Sequence, residues 1–482
     1  MLDDYYRDPA VRARMVEFLG GNALDRVSAM YVTGRGFEPG IGIDPRPPTE
    51  TWRCLEQGNE LYRSLWDRES LLAHLDIEYV NFDYPAEPYL DPERSFRLQS
   101  PVVESIHNHL SRHGIAPLHL LTGRGHSLVW RVRRDSAAMG DLGGLLRLPE
   151  SLAGNYAMPR PPCSQPVGSQ LGGAYAGLGL VMEHLAHRVI EEAQPACQIP
   201  VELTAIETDH SERGREIVSI DLSEYGDPLH TRSIRVPFSV YHKPQQQKQS
   251  LGESIVAGLP PLLVIPLNGM DYGQACSAMR DWDRAAALAR ETSVAIPEQP
   301  EGTRRLVEAY AGSSLAKFHR WFYSQEHDPP RRWPVTYDRT AYDPLPHCAR
   351  DMLSRPNDRL LRPAGIQYLV RLFMALGWHP RHIAGLLRSK YERNHGWGRL
   401  FYDYDASTRA DFYTRLFAGL IATGLDRLDN FNANALQKQG LCDPLASSQC
   451  LAPYRDSLLD RIKHERLGCR PFHGLFLPDQ AC

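Results

Sequence analysis

The sequence predicts an α+β protein whose C-terminal part is all helix. Residues 71–82 alternate like a strand. Further strand-like runs at 117–133, 217–222 and 233–240 alternate with helical stretches up to residue 245. From residue 300 onward, apolar residues recur at helical spacing. A composition of 42% hydrophobic and 23% charged residues excludes wholesale disorder. A length of 482 residues suits two to four domains.

In chain order, residues 1–70 read as short helices broken by a loop over 34–51, too rich in glycine and proline for one regular element. In 71–82, Leu75, Ile77 and Tyr79 fall on one face and Asp76, Glu78 and Val80 on the other. Residues 101–113 read as a helix with Val102, Val103, Ile106 and Leu110 inward and Gly114 at its end. Two strands come after it over 117–133, joined by a tight turn at Gly123–Gly125. A loop over 158–173 precedes a helix over 175–193. Strands come next at 217–222 and 233–240, and a glutamine-rich tract from Pro244 marks a boundary. Residues 366–393 form two helices around a Gly-Trp-His-Pro turn.

These elements divide the chain into an N-terminal segment (1–70), a catalytic domain (71–245), a connecting segment (246–300), a basic helical domain (301–440) and a cysteine-containing tail (441–482). The net charge of −4 hides an asymmetry: residues 1–300 sum to −11 and residues 301–482 to +7. A basic C-terminal part fits an anionic partner. The first residues are charged, without the apolar centre of a signal peptide, and the most apolar run, 258–268, holds three prolines. The nine cysteines are irregularly spaced and read as reduced thiols. The expectation is a cytoplasmic protein without a membrane span.

Three places could carry chemistry. Asp76 and Glu78 stand at i and i+2 of a strand, so their carboxylates share a side, about 6–7 Å apart at the backbone. That spacing suits a pair of divalent cations such as Mg²⁺ or Mn²⁺, and equally suits a solvated sheet face. The turn Thr122-Gly-Arg-Gly-His126-Ser127 offers backbone N–H groups and Arg124 to a phosphate, and equally makes an ordinary hairpin turn. Asp221 ends one strand, and Arg232, Arg235, His242 and Lys243 lie on and after the next; these are charges a triphosphate site needs or a wet sheet face carries.

Taken in order, an Asp-x-Glu strand, a glycine-rich turn, an Asp at a strand end and an Arg-x-Pro-x-Ser segment resemble the archaeo-eukaryotic primase superfamily over residues 70–245. That superfamily includes the small catalytic primase subunit and the PrimPol-type primase-polymerases. The resemblance implies an RRM-like catalytic sheet packed with a second α/β unit. It implies that Asp76, Glu78 and Asp221 hold the metals, and that Arg124, His126, Ser127, Arg235, His242 and Lys243 meet the nucleotide. Two departures stand out. His126 falls one position earlier than the family's histidine, which turns it to the opposite face and leaves Ser127 in its place. Phe238 stands where glycine is common, and His242 comes one position late.

In the basic C-terminal part, Arg381, Arg388, Lys390 and Arg393, interleaved with Trp378, Tyr391 and Trp397, could bind a nucleic-acid backbone or form a solvated helix face over core aromatics. Cys442, Cys450 and Cys469 could hold Zn²⁺, but without a CxxC pair ordinary thiols are preferred. The reading that emerges is a DNA primase or primase-polymerase using NTPs or dNTPs on a single-stranded DNA template. No P-loop is present, so a helicase or other replication protein would be a separate partner. The alternatives are a non-catalytic replication-initiation protein with a degenerate primase-like domain, and a metal nuclease using the same carboxylates.

Overall fold

The computed structural model describes residues 2–36, 42–208, 211–397, 406–442 and 450–466. It is a mixed α+β chain that divides into two compact units: residues 1–203 with 210–309, and residues 204–209 with 310–482. Residues 1–70, expected as a separate segment, thus belong to the same unit as residues 71–245, as do the expected connecting residues 246–300.

The first unit is built on two sheets. Strands β1 (Val32–Arg35), β2 (Gly42–Arg46) and β3 (Glu60–Ser64) lie in the region read as helix and loop. They pair antiparallel with β9 (Ser233–Arg235) in the order β2-β1-β3-β9. These strands are short and carry Gly34 and Pro45, so no alternation announces them; pairing partners distant in sequence create them.

The second sheet has β4 (Ser70–Asn81) at its centre, with β5 (Leu118–Leu121), β6 (Gly125–Arg133), β7 (Val201–Glu202), β8 (Glu216–Asp221) and β10 (Ile265–Pro266). Its order is β10-β5-β6-β4-β8-β7, and β4 pairs antiparallel with both β6 and β8. Leu75, Ile77 and Tyr79 point to one face and are completely buried. Helices α1 (Pro92–Arg112) and α2 (Ser169–Ala193) pack there. Helix α1 starts nine residues earlier than the sequence suggests. Asp91 caps it by accepting from the Arg94 N–H at 3.3 Å, Pro92 occupies the first turn, and Pro101 is accommodated inside.

The expected strand at 217–222 is present as β8, whereas of 233–240 only Ser233–Arg235 is strand, β9, before the chain turns at 237–239; the two belong to different sheets. The chain between them, residues 222–232, therefore passes from one sheet to the other beside the predicted carboxylates.

The second unit is helical, as expected. It contains α3 (Pro363–Ala375), α4 (Pro380–Tyr391), α5 (Ala406–Thr423) and α6 (Ala452–Arg466). Gly377 turns between α3 and α4 with φ 87°, and the His379 side chain caps α4 by accepting from the Arg381 N–H at 3.1 Å. Among the described residues, no helix is long and apolar enough to cross a membrane.

Candidate active site

The alternation that buries Leu75, Ile77 and Tyr79 sends His74, Asp76 and Glu78 to the other face of β4. Residues directly opposite on antiparallel neighbours share a face, with Cβ atoms about 4.5–5.5 Å apart. Asp221 of β8 lies opposite Asp76 on one side, and Ser127 of β6 lies opposite it on the other. Glu78 has Ser219 and Gly125 as its partners. Gly125 is required there: a Cβ at this position would stand 1.9 Å from the Ile77 carbonyl oxygen. This face forms one wall of a cleft of about 760 Å³, whose opposite wall is the first sheet with Arg35, Tyr62 and Arg235.

The carboxylates are electrostatically unequal. Burial, then the neighbouring Glu78 and Asp221 charges, push the Asp76 carboxyl up to about 7, against the opposing pull of His74 and Arg235. Burial acts on Glu78 in the same direction, but Arg124 and Lys243 outweigh it and hold Glu78 well below the usual carboxylate range. Arg124 donates to Glu78 Oε2, and Lys243 Nζ donates to Oε1 at 3.0 Å. Asp76 and Asp221 are thus two hard oxygen donors crowded together, with no ion-pairing cation of their own among the described residues, a donor set that fits a divalent cation. Glu78 is already neutralised. Among the described residues, no group of three or more His, Cys, Asp or Glu side chains stands arranged to hold a metal ion.

The cationic side of the cleft comes from β9 and the residues after it. Arg235 lies over the rings of Tyr62 and Tyr241, 5.0 and 4.5 Å from their centroids, with Nε 3.5 Å from Glu60 Oε2. Beyond it the chain reverses at Phe238, whose φ of 65° is in the left-handed region that glycine favours. A short Phe238 N–H bond to Val264 O, at 2.6 Å, and the Tyr5 hydroxyl bond to Phe238 O, at 3.1 Å, hold that conformation. The reversal delivers Lys243 to Glu78. Arg232 pairs with Asp227 and donates to Ser223 O at 3.3 Å. Arg35 and Arg160 add exposed guanidinium groups to the cleft. Sequence reasoning missed both, because one lies in the region read as loop and the other in a proline-rich stretch.

Three predicted nucleotide contacts do not line the cleft: His126, His242 and Arg124, which is taken up by Glu78. His126 is paired opposite Ile77, on the helix-packed face. It is completely buried against Phe96 and Tyr272, with Nδ1 2.8 Å from His119 Nε2. Burial, then His119 and His107, hold it well below the usual histidine range, so it is neutral. The one-residue displacement read from the sequence has this consequence. His242 is likewise buried: its backbone N–H donates to Glu60 Oε2 at 3.1 Å, and its ring Nε2 lies 2.8 Å from Gly58 O. Ser127 is on the cleft face, and its Oγ lies 2.6 Å from His74 Nε2. Sequence reasoning gives His74 only a packing or surface role and does not name its partner Glu224. The parity that selects Asp76 and Glu78 selects His74 too.

In the helical unit, the four basic residues proposed for nucleic acid are occupied. Arg381 is buried, ion-paired with Asp411 at 2.8 Å and laid over Phe322 and Tyr323. Arg388 pairs with Glu392, and Arg393 forms two bonds to Asp338, at 2.6 and 2.8 Å, while lying over Trp333. Lys390 is buried over Tyr342. Tyr391 and Trp397 are buried, and Trp378 packs on Phe373. The helix pair is a packed core with internal ion pairs, so it presents no basic stripe built from these residues.

Of the three cysteines weighed for Zn²⁺, Cys442 and Cys450 lie among the described residues. Cys442 Sγ lies 2.6 Å from Cys348 Sγ, and both are buried. Cys469 lies outside the described residues. Comparison with protein-family models, with curated proteins and with solved structures finds no match to this chain.

Proposed function

We propose that this chain is a metal-dependent nucleotidyltransferase of the primase or primase-polymerase type, acting on a single-stranded DNA template with NTPs or dNTPs. The observation that carries the reading is the placement of Asp76 opposite Asp221 on the wall of a cleft whose facing wall holds Arg235. The succession β4-α1-β5-β6-α2-β8, with spatial order β5-β6-β4-β8, supports an RRM-like core. The first sheet, beside that core, supports the second unit that the family resemblance implies.

Asp76 and Asp221 would hold Mg²⁺ or Mn²⁺, which supplies neutralisation of charge at the attacking and leaving oxygens. Arg235, with Arg232, Arg35 and Arg160 nearby, provides guanidinium donors matched to phosphate oxygens. Tyr62 offers a ring at the same wall. The test is incorporation of labelled nucleotides on unprimed single-stranded DNA with Mg²⁺ or Mn²⁺. Products from the wild-type protein, absent with Asp76→Ala and Asp221→Ala, support the reading; synthesis that survives both substitutions sinks it.

One observation favours a second reading, a non-catalytic initiation protein with an idle primase-like domain. Glu78 is saturated by Arg124 and Lys243, which leaves two of the three expected carboxylates for metal. DNA binding with no incorporation under any metal and nucleotide combination would select it.

A further inference from the structure

Glu78 is a single carboxylate engaged by two cations. Arg124 donates to its Oε2, and Lys243 Nζ donates to its Oε1 at 3.0 Å. The two cations are held differently. Arg124 sits in the tight turn between β5 and β6, and its carbonyl oxygen accepts from the Tyr79 N–H and from Gln99 Nε2, each at 3.2 Å. Beside it, a Cβ on Gly123 would stand 2.4 Å from the Tyr241 ring, so the turn has no room to shift. Arg124 does not line the cleft, whereas Lys243 and Glu78 both do. The Lys243 side chain is 23% exposed, on a flexible stem whose ammonium can turn to a new partner.

An oxygen that ligates a divalent cation stands about 2.0–2.6 Å from it. On Glu78 Oε1 that cation would meet the Lys243 ammonium at the same atom, two like charges in contact. A divalent cation and Lys243 therefore exclude each other at Oε1. Asp76 and Asp221 carry no such obstacle. Lys243 also shares the cleft with Arg35, Arg160 and Arg235, where an anion gains from every positive charge within reach. An anion that bonds the ammonium turns it away from Glu78 and opens Oε1, while Arg124 stays on Oε2. The same event brings negative charge beside Oε1, which favours a cation there.

The geometry points to a latch: Lys243 closes Glu78 to divalent cations until a polyphosphate in the cleft takes the lysine, so the two ligands bind cooperatively. The inference rests on the nucleotidyltransferase reading and adds an order of assembly to it. Asp76 and Asp221 accept a cation in the free protein, and Glu78 joins only with the polyphosphate. Coupling is reciprocal, so removing Lys243 must favour the cation and removing the Glu78 charge must favour the polyphosphate.

The test is a double-variant cycle read by binding alone, with circular dichroism on every variant. Without nucleotide, Mn²⁺ binding is followed by the electron paramagnetic resonance of the free ion. Lys243→Met should tighten the second equivalent of bound Mn²⁺ about tenfold, and adding Glu78→Gln should abolish that gain. In EDTA, a non-hydrolysable nucleoside triphosphate is titrated by equilibrium dialysis. Glu78→Gln should bind it about tenfold more tightly than the wild type, and adding Lys243→Met should abolish that gain as well. Lys243→Gln replaces Lys243→Met if the latter does not fold. Wild-type Mn²⁺ affinity in the folded lysine variant overturns the inference and leaves the nucleotidyltransferase reading in place. A gain that survives in the double variant does the same, because it comes from net charge and not from the latch. Failure of the wild type and the lysine variant alike to bind Mn²⁺ or triphosphate overturns both.

Discussion

Asp76 and Asp221 face each other across neighbouring antiparallel strands, two carboxylates in one register pair. Like charges directly opposite on a sheet destabilise it, so the pair is kept at a cost to the fold that a cation would offset. The folded Asp76 carboxyl titrates at about 7, above its ordinary 3.8. The unfolded chain therefore loses this proton first. The penalty is absent below the ordinary value, grows as pH rises, and is complete above the folded one.

Asp76→Asn should consequently stabilise the protein in EDTA at pH 8, by about 2 kcal/mol once solvent screening is allowed for. The gain should fade as pH drops toward 4. Scanning calorimetry at pH 8, 6 and 4 checks it. Adding Mn²⁺ at pH 8 should raise the Tm of the wild-type protein and not that of the variant. An unchanged wild-type Tm would count against a metal at this pair.

Glu78 behaves oppositely. Its bonds to Arg124 and Lys243 stabilise the fold above the ordinary glutamate range, and that contribution is lost only as pH falls through its lowered folded value. Glu78→Gln leaves two half-buried cations without a counter-charge and should cost about 1–3 kcal/mol in urea unfolding. Adding Lys243→Met to Glu78→Gln should return part of it.

Arg381→Ala should unfold the helical unit more readily, by about 3 kcal/mol, because it strands Asp411. In the same assay Arg393→Ala should cost about 1 kcal/mol. DNA affinity of the folded variants should hardly change. Neutralising Arg35 and Arg160 in the cleft should instead weaken DNA binding and lower its salt slope by about one unit for each phosphate no longer neutralised. A fluorescence-anisotropy salt series separates the two outcomes.

Cys348 and Cys442 are adjacent although 94 positions apart in the chain. Treatment with diamide, which takes up the two electrons and two protons released, should join them, and peptide mapping should find the cross-linked pair. Closing a loop of this length should stabilise the unit by about 4–5 kcal/mol where the geometry is unstrained. Cys348→Ala should abolish both effects.

Local period decides what was legible in the sequence. β4 announces itself through Leu75, Ile77 and Tyr79, and the same parity separates Ser127 from His126, so the displacement of His126 was legible although the resemblance still placed it at the nucleotide. The start of α1 was legible as well, in Asp91-Pro92, but Pro101 masked it. The first sheet was not legible, because β3 becomes a strand by pairing with β9, far along the chain. Nor could composition tell a cation that faces solvent from Arg381, which a neighbouring Asp411 has already taken up.

The exchange of β9 into the first sheet bears on how the molecule is made. As the chain emerges from its N-terminus, β3 can pair with β1 early, but its other edge stays open until Ser233–Arg235 have been synthesised. By then β4, β6 and β8 are available to assemble, so the acidic wall can form before the basic wall is closed. A fragment ending after β8 would carry the carboxylates, lack Arg235 and Lys243, and expose a bare strand edge to other copies of itself. The two walls of the cleft are therefore completed only when β9 joins β3, and a gene cut between them would leave each half without the other's charges.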